Sequence, residues 1–289
     1  MRQNQSSLTA MGIAVLRAAE MDKPADERIC SDPLARRFIP AWFFYFMKLF
    51  LATGYAELRG TGIVGFILAR SRYMDDVLSD ALEQGLQQLV ILGAGFDSRA
   101  YRFDRLKEGV RVFEVDHPAT QQAKVKKLTR ILEPSGLPDY ITFVPVDFTC
   151  QTLDARLPEC GYSDRLKTLF IWEGVTMYLD APAVDATLAF VSHHSAPGSA
   201  VVFDYMYQAV LDGRAKGHSE VSSMRRYRGF SQEVLNFGIE AGQIENFLTA
   251  RGFAQVRNVT GADLHERYFK GKNARRKVNT GYAIATGIV

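Results

Sequence analysis

The chain has 289 residues, 47% of them hydrophobic and 23% charged, which suits one large domain with an ample core. Its 35 basic and 32 acidic residues leave a net charge of +3, a balance that argues against nucleic-acid binding through counterion release. The three cysteines are widely spaced and form no CxxC pair. They indicate reduced thiols in a cytoplasmic protein without a metal site.

The first 85 residues are predicted to form a helical cap. Apolar residues recur with helical spacing over Leu8–Leu16, and the dipeptide Asp32-Pro33 is a helix-start signal. A further helix is expected through Arg70–Asp76.

The stretch Ala41–Ala56, AWFFYFMKLFLATGYA, is the most membrane-like part of the chain. It is too short to span a bilayer and contains Lys48, so we expect a buried or lid helix. Its aromatic residues could wall a planar substrate or pack in the core. Because the N-terminal residues also lack the apolar core of a signal peptide, no membrane partner is expected.

From Gln88 onward, short β-branched runs alternate with segments of helical length. The predicted strands are Leu89–Leu92, Arg111–Val115, Thr142–Val146, Thr168–Trp172, Ala200–Tyr205, Gln255–Val259 and Tyr282–Thr286. The predicted helices between them are Ala119–Leu132, Ala183–His194 and Gln232–Ala250. This alternation predicts an α/β fold with a mostly parallel sheet, helices on both faces and ligands beyond the carboxyl ends of the strands. We assign it to a domain at residues 86–289, with a substrate-side insertion near 206–230.

Glycines and acids stand at the ends of the first five predicted strands. The first strand runs into a turn that contains Gly93, Ala94, Gly95 and Asp97, and the next four end near Asp116, Asp147, Glu173 and Asp204. The two glycines would let a ligand approach the backbone closely. Asp116 follows Gly95 by about 20 residues, which is the spacing of an acid that binds ribose hydroxyls.

Two nucleotide cofactors fit such a turn, NAD(P) and S-adenosylmethionine. The dinucleotide motif needs a third glycine where this chain has Ser98, and Asp97 would repel a pyrophosphate. An acid does not repel a sulfonium or an ammonium group, so S-adenosylmethionine is favoured. An NAD(P)-dependent oxidoreductase and a non-enzymatic scaffold are the alternatives.

Several longer stretches add up to a family resemblance. They are the stretches 9–20 and 32–35, ARSR at residues 69–72 with Asp75-Asp76, LGAGFDSRAYR, VFEVDHPATQQAK, VPVDF, WEGVTMYL and NFGIEAGQIENFLTARGF. Together they resemble the leucine carboxyl methyltransferase family of class I S-adenosylmethionine-dependent methyltransferases, in particular its bacterial branch of polyketide carboxyl O-methyltransferases. The resemblance implies a Rossmann-like seven-stranded sheet with an N-terminal helical cap, and S-adenosylmethionine as the cofactor.

The resemblance also implies roles for individual residues. Arg70 would hold the cofactor carboxylate, with Arg72 as an open alternative, and Glu173 would contact the cofactor ammonium. The other predicted cofactor-binding residues are Gly93, Ala94, Gly95 and Asp97 at the turn, Asp116 at the ribose, and His117, Asp147 and Phe148 around the nucleoside.

The expected reaction is O-methylation of a carboxylate on a small natural product, such as a polyketide acid of secondary metabolism. A carboxylate is ionised at neutral pH and needs no general base, whereas a phenol or an alcohol would be better served by one. Tyr178 is the candidate catalytic residue of the pocket. Methylation of a hydroxyl or of a protein C-terminal carboxylate remains open. The expected partner is an acidic or aromatic small molecule, and the protein is expected to be a monomer or a homodimer.

Overall fold

The computed structural model describes residues 6–54, 62–147, 151–214 and 235–289, with side chains from residue 10 onward. The helices are α1 Ser6–Glu20, α2 Ala41–Ala52, α3 Ile63–Glu83, α4 Arg99–Arg102, α5 Pro118–Ile131, α6 Leu153–Glu159, α7 Ala181–His193, α8 Gln208–Leu211, α9 Ile244–Thr249 and α10 Gly261–Tyr268. The strands are β1 Gln88–Leu92, β2 Arg111–Asp116, β3 Ile141–Pro145, β4 Thr168–Trp172, β5 Ala200–Met206, β6 Gln255–Thr260 and β7 Tyr282–Ile288.

The seven strands form one sheet in the order β3-β2-β1-β4-β5-β7-β6. Strands β1 to β5 pair in parallel, and β7 lies antiparallel between β5 and β6. The predicted α/β fold with a seven-stranded, mostly parallel sheet is therefore confirmed, and each predicted strand agrees with the structure to within two residues. The strand order reverses between β1 and β4, so the loops after these two strands border a crevice at the carboxyl edge.

Helices cover both faces of the sheet. Along β1, Leu89 and Ile91 belong to one hydrophobic cluster, while Val90 and Leu92 belong to a second one. Since successive strand side chains point to opposite faces, the two clusters are the two sides of the sheet. The first cluster includes residues of α1, α3 and α10, and the second includes residues of α6, α7 and α9.

The N-terminal part of the chain is helical, and α3 packs directly on the sheet. Leu68 and Met74 of α3 lie in the same cluster as Leu89 and Ile91 of β1. Residues 63–83 therefore share a core with the sheet, and the division of the chain at residue 85 stays a prediction.

Two expected helices are shorter than predicted. Asp32 does accept bonds from the backbone N–H groups of Leu34 and Ala35, but only a 3-10 turn follows, over Ala35–Phe38. Of the helix predicted over Gln232–Ala250, only α9 forms in the described part. Residues 235–243 are irregular backbone, with one isolated bridge between Ile239 and Tyr207 after β5. Residues 232–234 lie outside the described part. Gln208 packs against Gly238 and donates its backbone N–H to Ile239, so tertiary contacts fix this segment in a non-helical path.

Helix α2 forms where the apolar run predicted it, but its outer face is not buried. Phe44 points inward and is 4% exposed, whereas Trp42 is 72% exposed and Phe46 is 65% exposed. The expectation of a buried helix is therefore wrong, and its action as a lid stays a prediction. In the ranges that the structure describes, none of the helices is both long and apolar enough to cross a membrane.

A substitution in α3 tests how closely this helix packs. A Cβ atom at Gly65 would lie 2.0 Å from the backbone oxygen of Lys277, which cannot move without displacing its own segment. We expect Gly65→Ala to lower the free energy of unfolding by about 1–3 kcal/mol in urea titrations. Gly12→Ala in α1 is the control, because its Cβ would have nothing within 4 Å. Equal stability of Gly65→Ala and the wild type would contradict the close packing.

Candidate functional site

The turn after β1 is shaped by its neighbours as well as by its glycines. Gly93 has a φ of +66°, and a Cβ there would lie 2.5 Å from a methyl group of Val175 in the loop after β4. Gly95 has a φ of +41°, and its Cβ would make only an ordinary contact with Ala10 of α1, at 3.6 Å. Packing therefore requires glycine at position 93, while position 95 leaves the backbone approachable.

Asp116 joins this turn to the end of β2. Its Oδ2 accepts a bond from the backbone N–H of Gly95 at 2.5 Å, and its Oδ1 accepts one from His117 at 2.6 Å. Burial raises the pKa of Asp116, and the two N–H bonds oppose that rise. Each carboxylate oxygen has a second lone pair, so this half-buried acid can still accept bonds from a ligand's hydroxyl groups.

Neighbouring residues extend the site along the sheet edge. Ala94 donates its backbone N–H to Val115 of β2 at 3.0 Å, which holds the turn against the strand. The His117 Nδ1 caps α5 by accepting a bond from Ala119, and its Nε2 lies 4.0 Å from Asp147 Oδ2 at the end of β3. The structure thus brings His117 and Asp147 together, while Phe148 lies outside the described residues.

Arg70 lies inside the site and Arg72 does not. The Arg70 Nε donates to Glu173 at 3.1 Å, and its Nη1 donates to Asp204 at 2.6 Å, with the side chain 5% exposed. Arg72 is on the outer side of α3, where it pairs with Asp76 and is 46% exposed. Of the two arginines between which the sequence could not choose, only Arg70 reaches the ends of β4 and β5.

Arg99 is a buried partner that the sequence analysis did not single out. It forms ion pairs with Asp97, with Asp75 at 2.7 Å and with Glu173 at 2.7 Å, and it donates to the backbone oxygen of Ser71. The motif LGAGFDSRAYR contains a sign of this pairing, because Asp97 and Arg99 follow its glycine turn directly. The distant partners Asp75 and Glu173 could not be read from it.

Glu173 is the centre of this buried network. Its carboxylate meets Arg70 and Arg99 and accepts a bond from the Ser71 hydroxyl at 2.7 Å. Burial alone would raise the pKa of Glu173, but Arg99 and Arg70 outweigh burial and hold the pKa well below its usual range. Glu173 is therefore ionised at any physiological pH and can pair with a further cation.

Arg17 fastens α1 to the same turn. Its Nη2 donates to the backbone oxygen of Phe96 at 2.7 Å, and its Nε pairs with Asp32 at 2.9 Å. The side chain is buried, and the sequence analysis gave it no role, although it lies within a stretch that carries the family resemblance. It makes α1 part of the wall around the glycine turn.

Tyr178 ends the 3-10 turn that follows β4. Its half-buried side chain packs against the hydrophobic cluster on the α3 side of the sheet, and its backbone oxygen accepts a bond from Asn236. The proposed catalytic role of Tyr178 stays a prediction. Among the described residues there is no group of three or more His, Cys, Asp or Glu side chains placed to hold a metal ion.

A second buried ion pair supports the turn from below. The Lys124 Nζ of α5 lies 2.8 Å from Glu114 Oε2 and 3.4 Å from the backbone oxygen of Ala94. Both side chains are at most 2% exposed. Burial raises the pKa of Glu114, and the Lys124 ammonium opposes that rise.

Comparison of the sequence with known proteins identifies the family of the chain. The profile of the leucine carboxyl methyltransferase family matches residues 10–192. The chain belongs to this family. It is 34% identical over 206 residues to the Bacillus subtilis protein named "Putative S-adenosyl-L-methionine-dependent methyltransferase YktD", covering 71% of this chain and 66% of that protein. It is also 34% identical over 210 residues to SCO7813 of Streptomyces coelicolor, which has the same description, covering 72% of each.

A solved structure agrees with the fold. The crystal structure titled "a putative methyltransferase from Thermobifida fusca" superposes with a TM-score of 0.57 at 13% identity, covering 95% of this chain and 93% of that one. At this level of identity the likeness concerns the fold alone. The match confirms the methyltransferase-type α/β architecture of the chain.

The buried pair beneath the turn gives a prediction about stability. Lys124→Met leaves Glu114 buried without its cation, so we expect the free energy of unfolding to fall by about 3–5 kcal/mol. The double variant Glu114→Met, Lys124→Met removes both charges and should recover most of that loss. Urea titrations measure both, with the exposed Lys126→Met on the same helix as the control. A double variant as unstable as the single one would contradict the pairing.

Proposed function

We propose that the protein transfers a methyl group from S-adenosylmethionine to a carboxylate of a small natural product, such as a polyketide-type acid. Membership of the family makes the chain an S-adenosylmethionine-dependent methyltransferase. The observation that supports the cofactor part of the proposal is the buried array of Arg70, Arg99 and Glu173 beside the carboxyl ends of β1 and β4, and the carboxylate acceptor follows the family. The array lies where an α/β sheet of this order binds ligands.

The charges of the array suit an amino acid zwitterion. We assign Glu173 to the cofactor ammonium, because it is ionised and buried. We assign Arg70 to the cofactor carboxylate, since the Nε and Nη1 bonds with Glu173 and Asp204 use two of the five N–H groups that a guanidinium provides. Arg99 and Arg17 hold the acids and the turn in place around them.

The nucleoside half is assigned to the strand ends next to the turn. We assign the turn Gly93, Ala94 and Gly95 to the cofactor, with the open backbone at Gly95 as the point of close approach, and Asp116 to the ribose hydroxyls. We assign the residues beyond β2 and β3 to the base: His117, Asp147 and Phe148.

The sequence argued against a dinucleotide because Asp97 would repel a pyrophosphate. The structure supplies another reason. Asp97 is already paired with Arg99, so much of its charge is neutralised. Its Oδ1 also accepts the bond of the Arg99 backbone N–H at the start of α4. A diphosphate would need this helix N-terminus, and the chain's own carboxylate occupies it.

The proposed reaction does not require the protein to transfer a proton. When bound, S-adenosylmethionine supplies a methyl carbon that its sulfonium activates towards displacement. The residues of the site hold the cofactor and the acceptor in line and exclude water, and catalysis by positioning of this kind needs no general base. We propose Tyr178 as a residue that contacts the acceptor, because it follows β4 five residues after Glu173 on the way to the helix α7.

Calorimetric titration with S-adenosylhomocysteine tests the cofactor assignment. Asp116→Asn removes a charged acceptor of ribose hydroxyls, so we expect affinity to fall by about 10- to 100-fold. Because burial raises the pKa of Asp116, protonation should weaken wild-type binding as the solution is acidified, and the variant should lack this loss. Arg72→Met, outside the site, is the control. Unchanged affinity in Asp116→Asn, or binding of NADH by the wild type, would contradict the assignment.

A methyl-transfer assay distinguishes the acceptor classes. With radiolabelled S-adenosylmethionine, we expect aromatic and polyketide-type acids to accept label as esters that release methanol in mild alkali. The rate should change little between neutral and mildly alkaline pH, because a carboxylate is already ionised. Alkali-stable label on phenols, with a rate that rises with pH, would instead identify a hydroxyl methyltransferase. Label on a peptide C-terminus would indicate a protein carboxylate.

A further inference from the structure

One face of α2 exposes large apolar side chains to solvent. Trp42, Tyr45, Phe46 and Leu49 have exposed fractions of 72%, 64%, 65% and 70%. Their spacing of three, four and seven residues places them on one side of a helix. Among the described residues, the other large exposed apolar side chain is Leu137, at 38%. We call these four residues the α2 stripe.

The opposite side of α2 is fixed to the body of the protein. Phe44 is 4% exposed, and Met47 and Leu51 pack against the hydrophobic cluster on the α3 side of the sheet. The Lys48 ammonium lies 2.6 Å from Asp22, which ties the helix to the end of α1. The α2 stripe is therefore a surface held in place by the fold, because the helix cannot turn it inward without losing these contacts.

Basic side chains border the α2 stripe. The Arg36 guanidinium lies 4.5 Å from the ring centre of Phe44 and 5.7 Å from that of Tyr45. Arg37 is exposed on the adjoining 3-10 turn, and Lys127 donates to the backbone oxygen of Phe38 in that turn. Lys48, on α2 itself, is paired with Asp22.

In place of the sequence-based expectation that no membrane is a partner, we propose that the α2 stripe docks on the surface of an anionic lipid bilayer. An interfacial helix lies in the membrane plane with apolar residues towards the acyl chains and basic residues towards the headgroups. Tryptophan and tyrosine favour this boundary because their rings are apolar and their tips are polar. At about 18 Å, a helix of 12 residues lies on a bilayer and does not cross it.

Charge favours a lipid surface over a second copy of the chain. A two-fold contact centred on Tyr45 would bring the Arg36 side chains of the two copies towards each other, because Arg36 lies beside that ring, and like charges at an interface oppose association. Anionic headgroups would instead attract the same residues. The inference is independent of the acceptor proposed above and concerns where the protein works.

Flotation with lipid vesicles tests the proposal. The wild type should float with vesicles of phosphatidylcholine and phosphatidylglycerol, bind much less to phosphatidylcholine alone, and dissociate as salt is raised. The triple variant Trp42→Ser, Phe46→Ser, Leu49→Ser should lose at least about tenfold in binding. Arg37→Glu should lose severalfold on anionic vesicles only. Leu137→Ser is the matched control, since it removes an exposed leucine that lies outside α2.

Fluorescence gives a second measurement at the α2 stripe. The chain has two tryptophans, and Trp172 is 2% exposed within the sheet, so Trp42 reports on its own surroundings. Its emission should shift to shorter wavelength with anionic vesicles, and Trp42→Phe should abolish the shift while flotation persists.

Two results would overturn the proposal. In the first, the wild type does not bind vesicles, and light scattering shows that the wild type is a dimer and the triple variant a monomer. The α2 stripe would then be a contact between copies. The other is equal flotation of the wild type and a triple variant whose thermal unfolding is unchanged. Failure of the methyl-transfer assay would leave either vesicle result as it stands.

Discussion

The buried ion network around Glu173 is the constraint on which the rest of the site depends. It joins α3, the turn after β1 and the ends of β4 and β5 through charges that water cannot screen. Burying these charges has a large desolvation cost, which the ion pairs and hydrogen bonds between them offset, so removing one partner leaves an uncompensated buried charge. The same arrangement that holds the fold together therefore presents an ionised acid and two arginines at the crevice.

The glycine turn illustrates how packing and binding share a motif. Gly93 is required because Val175 occupies the space of its side chain, and only Gly95 leaves the backbone open. The turn is also held on three sides, by Asp116 at Gly95, by Lys124 at Ala94 and by Arg17 at Phe96. A loop fixed in this way is prepared for a ligand before the ligand arrives, which reduces the entropy lost on binding.

The ion network and the α2 stripe lie on different parts of the chain, and we propose cofactor binding for the first and membrane docking for the second. The network faces the crevice between the loops after β1 and β4, whereas the α2 stripe faces outward beside basic residues. A lipid surface at the stripe would bring an apolar acid, which partitions into membranes, close to the enzyme.

The sequence by itself determined the seven strands, the α/β class and the acids at the strand ends, because alternation, glycine and helix-length spacing are local patterns. It also indicated Asp116 and Glu173 at strand ends near the turn, and the role of each stays a proposal. Only the tertiary structure decided that Arg70 and not Arg72 enters the site, that Arg99 and Arg17 surround it, and that α2 exposes its aromatic face. Arg70 meets its partners 103 and 134 residues away in the chain, and no local spacing records such contacts. They follow from the strand order, which brings the ends of β1, β4 and β5 side by side.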